Sequence, residues 1–167
     1  IRKELGVPTA FNLMGPLTNP ARVRRQVIGV SDPRYAAVVL GVLRERGAAR
    51  AMVVHGDDGI DELTLTTTSH IHELRDGEVE THVVDPEELG FALVPPEALR
   101  GGDPARNAEC VRRILEGEPG PQADVVILNA AAALVVGDAV DDLPSGVELA
   151  RASITEGRAA RALEQLV

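Results

Sequence analysis

From Gln26 to Val30 the chain is largely apolar, Ser31, Asp32 and Pro33 follow, and from Pro33 to Arg46 the residues Ala36, Val39, Leu40 and Leu43 recur at helical spacing. A short apolar run without alternation predicts a buried strand. Ser31 or Asp32 can cap the helix that follows, Pro33 suits its first turn, and Gly47 stops it. Ala51 to His55 is a second apolar run. Strand, helix and strand within about thirty residues make a βαβ unit, and two apolar strands imply a parallel sheet covered on both faces. Its crossover should be right-handed. Ligands of such sheets collect at the carboxyl ends of strands, so the loops after Val30 and His55 fall on one working edge.

Farther on, Ser69–Leu74 and Glu78–Val84 flank Asp76-Gly77, the dipeptide favoured in two-residue type I′ turns, which predicts a β-hairpin. Its partial alternation places Ile71, Val79 and Val83 inward. Residues 85–103 are rich in proline and glycine and predict only a short turn near Pro86 to Leu89. Asp103 and Pro104 open a helix to Leu115 with Ala108, Val111, Ile114 and Leu115 on one face, where Cys110 reads as a small buried hydrophobe. Gln122–Val136 predicts a nearly buried helix, although Val125 to Leu128 would also pass for a strand. Ser145 with Glu148 makes a capping box for a terminal helix carrying Leu149, Ile154, Leu163 and Leu166. The expectation is one α/β domain over residues 1–167, with a mostly parallel central sheet flanked by helices and bearing a hairpin. No repeat or long linker divides it.

Composition narrows the class without naming it. The 167 residues are enough for one domain with a sizeable core, 44% are apolar, and mean hydropathy is near zero. No apolar run approaches the roughly 20 residues needed to span a membrane. A net charge of −9 with scattered Lys and Arg argues against a nucleic-acid surface. It does not exclude a phosphate ligand, which an acidic protein binds through a divalent cation and a local pocket. One cysteine permits no internal disulfide, and a reducing cytoplasm is the simple expectation. Residue 1 is Ile, nothing before Gly6 resembles a signal peptide, and the chain reads as a fragment.

Two segments carry chemistry. Phe11 to Pro20, FNLMGPLTNP, concentrates Gly15, Pro16, Asn19 and Pro20 and predicts a rigid non-helical turn in which Gly15 lets backbone approach a ligand. After the second strand come Asp57, Asp58, Asp61 and Glu62. They read either as a solvated acidic turn or as a Mg²⁺ site, since Mg²⁺ is held by one or two carboxylates while water and substrate phosphate fill its other positions. The spacing does not fit an EF-hand. His70 and His72 lie two apart on one strand face as a zinc pair would, but with no third ligand nearby they read as solvent-facing. His55 reads as a satisfied strand-end histidine. No Ser/His/Asp or Cys/His nucleophile arrangement is present.

In this order and spacing, R-K-x-L-G from Arg2, FNLMGPLTNP from Phe11 and V-V-H-G-x-x-G-I-D-E from Val53 resemble the second half of the anthranilate phosphoribosyltransferase family, from Ile1 essentially to the end. The resemblance implies transfer of a phosphoribosyl group from phosphoribosyl pyrophosphate to anthranilate in tryptophan biosynthesis, by a Mg²⁺-dependent glycosyltransferase that is a cytoplasmic homodimer. It implies that Asp61 and Glu62 bind the Mg²⁺ carried by the donor, that Arg2 contacts the anthranilate carboxylate, and that Gly15 and Pro16 line the aromatic-acid site. No ligand role passes to Asp57 or Asp58, and Asn19 remains a turn-stabilising residue. The family's GTGGD turn and Lys-His-Gly segment, which hold the donor phosphates, precede the arginine motif and have no counterpart here. The helical dimerisation domain and part of the sheet are likewise expected to be missing, and the fragment alone is expected to be inactive. A pyrimidine nucleoside phosphorylase of the same fold, which FNLMGPLTNP disfavours, and a non-catalytic module retaining the fold are the alternatives.

Overall fold

Four strands in the order β1-β2-β3-β4 form the sheet of a computed structural model that describes Gly15 and residues 17–166. β1 (Arg25–Gly29) and β2 (Arg50–Gly56) pair in parallel, from Arg25 opposite Arg50 to Gly29 opposite Val54. Between them a 3₁₀ turn at Pro33–Tyr35 leads into α1 (Ala36–Glu45), completing the βαβ unit. Asp32 is the cap, its carboxylate accepting from the Arg34 N–H at 3.0 Å. Ala36, Val39, Leu40 and Leu43 of α1 are buried against Ile28, Ala51, Val53 and Leu74 of the sheet, so the helical periodicity reports a real face.

β3 (Ser69–Arg75) and β4 (Glu78–Val84) form the hairpin, and both β2-β3 and β3-β4 are antiparallel. Asp76 and Gly77 have φ of 52° and 86°, as a type I′ turn requires. The α/β class and the hairpin are as expected, and the described sheet is mixed: one pairing is parallel and two are antiparallel. Val79 and Val83 do not face inward. They are 46% and 64% exposed, because β4 is an edge strand and α1 does not extend over it.

The opposite face carries the main core. α2 (Pro104–Leu115), α3 (Pro121–Val136) and α4 (Leu143–Thr155) follow the sheet, and α5 (Arg158–Leu166) ends the described chain. Leu128, Ala131, Ala132 and Val135 of α3 pack with Met52, Val54 and Ile71 of the strands and with Val147 and Ala150 of α4. Each fully buried leucine-sized side chain contributes about 1.5–3 kcal/mol by transfer from water.

Three helix predictions need correction. α4 is capped by Asp142, whose Oδ1 accepts from the Ser145 N–H at 2.9 Å, so Ser145 lies inside the first turn and makes no capping box. The single terminal helix is two, because Gly157 has φ of 70° and breaks it between Thr155 and Arg158. On α2 only Ile114 is buried, Ala108 and Val111 being exposed, while Cys110 is half-buried with its thiol donating to Gln122 Oε1 at 2.9 Å. Among the described residues no helix is long and apolar enough to cross a membrane.

Candidate functional site

β2 ends at Gly56, and residues 57–68 form a loop over the carboxyl ends of β1 and β2 before β3 begins. Gly59, with φ of 88°, lets the chain reverse so that its N–H reaches the Gly56 carbonyl at 2.9 Å. The Gly56 N–H in turn donates to Ile60 O at 3.0 Å, and Asp57 N–H to Thr68 O at 3.0 Å. Leu63 and Leu65 are fully buried in the main core and pin the loop from below. A loop held this way has little freedom to relax.

Its four acids divide into two kinds. Asp58 Oδ2 accepts from the Thr64 and Thr66 hydroxyls, at 2.8 and 2.5 Å. Burial pushes this carboxyl up, but those two hydroxyls and the Ile60 N–H outweigh it and leave the pKa below the ordinary value. Asp57 is also lowered, first by the Thr68 hydroxyl, and its Oδ1 lies 3.1 Å from His70 Nε2. These two acids build the loop. Asp61 and Glu62 are exposed, and among the described residues no hydrogen bond or ion pair reaches either carboxylate. The Asp61 backbone lies directly over Gly29 of β1, where an added Cβ would sit 1.6 Å from the Asp61 carbonyl oxygen. That glycine is a condition of the loop's path.

Asp61 and Glu62 form a ridge between two open depressions. One, of about 420 Å³, is lined by Gly29, Val54, Val125 and Asn129 besides the two acids. The other, of about 360 Å³, adds Asp58, Thr66, Leu99 and Arg100. No group of three or more His, Cys, Asp or Glu among the described residues is placed to hold a metal. A closed protein cage is therefore absent there, but two unpartnered carboxylates fit Mg²⁺, which leaves most of its octahedron to water and substrate oxygens.

Arg2 and Pro16 lie outside the described residues. Gly15 is exposed and helical, and Leu17 is half-buried and helical, so at these two residues FNLMGPLTNP is not the non-helical turn expected from its prolines. Among the described residues nothing lies within 4 Å of where a Gly15 Cβ would be. Asn19 does stabilise a turn, its Oδ1 accepting from the Ala21 N–H at 2.9 Å.

His70 and His72 are half-buried rather than fully solvent-facing. His55, only 7% exposed, stacks on His70 with ring centroids 4.9 Å apart and lies 5.7 Å from His72. The cause is register: His55 and His70 are directly opposed across β2 and β3. Asn129 of α3 was the residue that sequence reasoning missed. Its Oδ1 accepts from the Leu63 N–H at 3.0 Å, and its Nδ2 donates to Leu63 O at 2.8 Å and Val125 O at 3.0 Å. The one polar residue in the run Val125–Val136 was the available signal.

Residues 1–160 match the model of the glycosyl transferase family, a/b domain. An anthranilate phosphoribosyltransferase from Streptomyces avermitilis is 50% identical over 171 residues, covering 99% of this chain and 48% of that protein. The crystal structure of anthranilate phosphoribosyltransferase from Thermus thermophilus superposes with a TM-score of 0.89 at 44% identity, over 98% of this chain and 48% of that one. The Saccharomyces cerevisiae anthranilate phosphoribosyltransferase in complex with PRPP and Mg superposes at 0.83 with 26% identity, over 98% and 47%. The chain thus spans about half the length of the relatives it matches.

Proposed function

The chain belongs to the glycosyl transferase family through its a/b domain, and from that premise we propose that it is the carboxyl-terminal α/β part of a Mg²⁺-dependent anthranilate phosphoribosyltransferase. The whole protein transfers phosphoribosyl from phosphoribosyl pyrophosphate to the anthranilate amine, releasing pyrophosphate, in tryptophan biosynthesis. The observation that carries this reading is the acidic loop: four carboxylates in six positions, two consumed in building it and Asp61 and Glu62 left open at the strands' carboxyl edge. The relative solved with PRPP and Mg shares that fold.

When bound, Mg²⁺ would stabilise the charge that develops on the departing pyrophosphate. Asp61 and Glu62 would hold it, and the anchored loop keeps both carboxylates in place without reorganisation during the reaction. The reaction passes through an oxocarbenium-like centre, so the protein supplies positioning rather than a nucleophile. Arg2 pairs its guanidinium with the anthranilate carboxylate, a bidentate match of planar groups, and Gly15 and Pro16 belong to the same acceptor pocket. The donor's phosphate cradle and the helical dimer contacts of a cytoplasmic homodimer belong to the other half of the relatives' length.

In the full-length protein, Asp61→Asn with Glu62→Gln should lower turnover at fixed Mg²⁺ by roughly 100-fold. Unchanged turnover and unchanged Mg²⁺ dependence would remove the metal assignment. Arg2→Ala should raise the KM for anthranilate roughly tenfold while leaving that for phosphoribosyl pyrophosphate nearly untouched. An equal rise in both would take away its carboxylate role.

A further inference from the structure

We propose that Asn129 is the positioning residue of the metal loop: from α3 it grips the backbone of Leu63, the residue next to Glu62, and so fixes the direction in which Asp61 and Glu62 present their carboxylates. This rests on the reading of Asp61 and Glu62 as metal-binding residues. The geometry is a two-point clamp, with the Leu63 N–H donating to Oδ1 at 3.0 Å and the Leu63 carbonyl accepting from Nδ2 at 2.8 Å. A backbone N–H demands an acceptor and a carbonyl demands a donor, so the amide has one orientation that serves both. The second Nδ2 hydrogen reaches Val125 O at 3.0 Å, one turn back on α3, which locks the side chain to its own helix. Asn129 therefore reproduces, with one side chain, what a neighbouring strand would do for a loop residue that has none.

The placement matters because the loop's other polar ties arise mainly within residues 57–69, through Asp57, Asp58, the threonines and Ser69. Asn129 instead joins the loop to α3, and both line the same depression as Asp61 and Glu62. Leucine at this site fills the space and removes every polar tie. Aspartate keeps an acceptor for the Leu63 N–H but sets a carboxylate against the Leu63 and Val125 carbonyls.

The test is direct Mn²⁺ binding to the full-length protein in the presence of phosphoribosyl pyrophosphate, followed by electron paramagnetic resonance, beside steady-state kinetics. For Asn129→Leu and Asn129→Asp the Mn²⁺ dissociation constant and the Mg²⁺ concentration for half-maximal turnover should both rise roughly tenfold, with the KM for anthranilate unchanged. A merely structural role would lower the melting temperature and leave Mn²⁺ affinity within about twofold of the parent, and that result overturns the proposal. If Asn129→Leu does not fold, Asn129→Asp decides by the same readout. The Asp61→Asn, Glu62→Gln protein separates the two failures. If it binds Mn²⁺ normally, the metal reading itself is wrong; if it loses Mn²⁺ while both Asn129 variants keep it, only the positioning role falls.

Discussion

α3 is tied by polar side chains at two places, to the strands near its carboxyl end and to the acidic loop at its middle, and the two ties treat charge in opposite ways. At the amino ends of β1 and β2, Arg50 is buried with Nε donating to Glu73 Oε1 at 2.7 Å and Nη1 to Val135 O at 2.6 Å and Asp138 Oδ1 at 3.1 Å. Arg25 donates to Val136 O at 2.9 Å and pairs with Asp138 as well. Burial works against the Arg50 charge, yet Glu73 and Asp138 outweigh it and hold its pKa above the ordinary value. Asp138 is lowered by the hydrogen bonds from Arg25 and then Arg50. At the carboxyl ends the tie is the neutral Asn129, and among the described residues none pairs with the Asp61 or Glu62 carboxylate, although Arg100 lines the depression beside them. Charge density alone does not mark a functional site. What marks one is whether the protein's own groups close around the charge or leave it open.

The closed end can be broken most severely. Arg50→Met leaves Glu73 half-buried without its cation, and it should cost about 3–5 kcal/mol of stability, read by denaturant unfolding of the full-length protein. Adding Glu73→Leu should recover much of that loss, because replacing both charges by apolar groups removes the uncompensated one. Mg²⁺ dependence per folded molecule should not move in either variant. If it moves as far as in the Asp61 and Glu62 variants, the two ends are not separate in function and the comparison fails.

The sequence shows one end far better than the other. The βαβ unit, the hairpin and the long helix were legible because they rest on local periodicity and on turn residues such as Asp76 and Gly77, which report their own backbone. The acidic loop was legible as a set of residue types, and its matching motif separated Asp61 and Glu62 from Asp57 and Asp58. Nothing local, however, showed that Thr64, Thr66 and Thr68 absorb the first two acids. The Arg50 cluster was illegible for the same reason: Arg50, Glu73 and Asp138 meet only through tertiary packing of three elements. The histidine stack was missed because strand spacing gives a face but not which strand lies opposite it.

The open end can be disturbed without touching its carboxylates. Gly29→Ala would place a Cβ 1.6 Å from the Asp61 carbonyl, and a backbone oxygen cannot rotate away as a side chain does. The loop must shift, at a cost of about 1–3 kcal/mol. The half-saturating Mg²⁺ concentration should rise with it, since the displaced residue, Asp61, is one of the two proposed for Mg²⁺. Gly41→Ala is the control, because nothing lies within 4 Å of a Cβ there and it sits inside α1, where alanine gains up to about 1 kcal/mol over glycine. If both variants leave the Mg²⁺ requirement unchanged, the path over Gly29 does not set the ligand geometry.

The smallest effect separates the two ends by the size of their response to acid. His55 and His72 are both held below the ordinary histidine value, first by burial and then by neighbouring imidazoles, His70 acting on each. Asp57 partly offsets this at His55, and Thr81 Oγ1 lies 3.0 Å from His72 Nδ1. Below the ordinary value near pH 6.5, the unfolded chain takes up protons that these folded histidines resist. Stability from this cluster is therefore fully present above that value and is lost as pH falls through it toward the depressed folded values. At the closed end, His82 Nε2 stands 3.9 Å from Glu73 and 3.7 Å from Glu80. Between about pH 7.5 and about pH 5.5, amide protection corrected for intrinsic exchange should fall at Asp57 and the carboxyl end of β2 more than at Arg50. His72→Gln should flatten that difference, because it removes one of the two titrating rings while glutamine still reaches for Thr81. Equal losses at both ends, in parent and variant alike, would mean that the histidine stack does not govern the acid response of the open end.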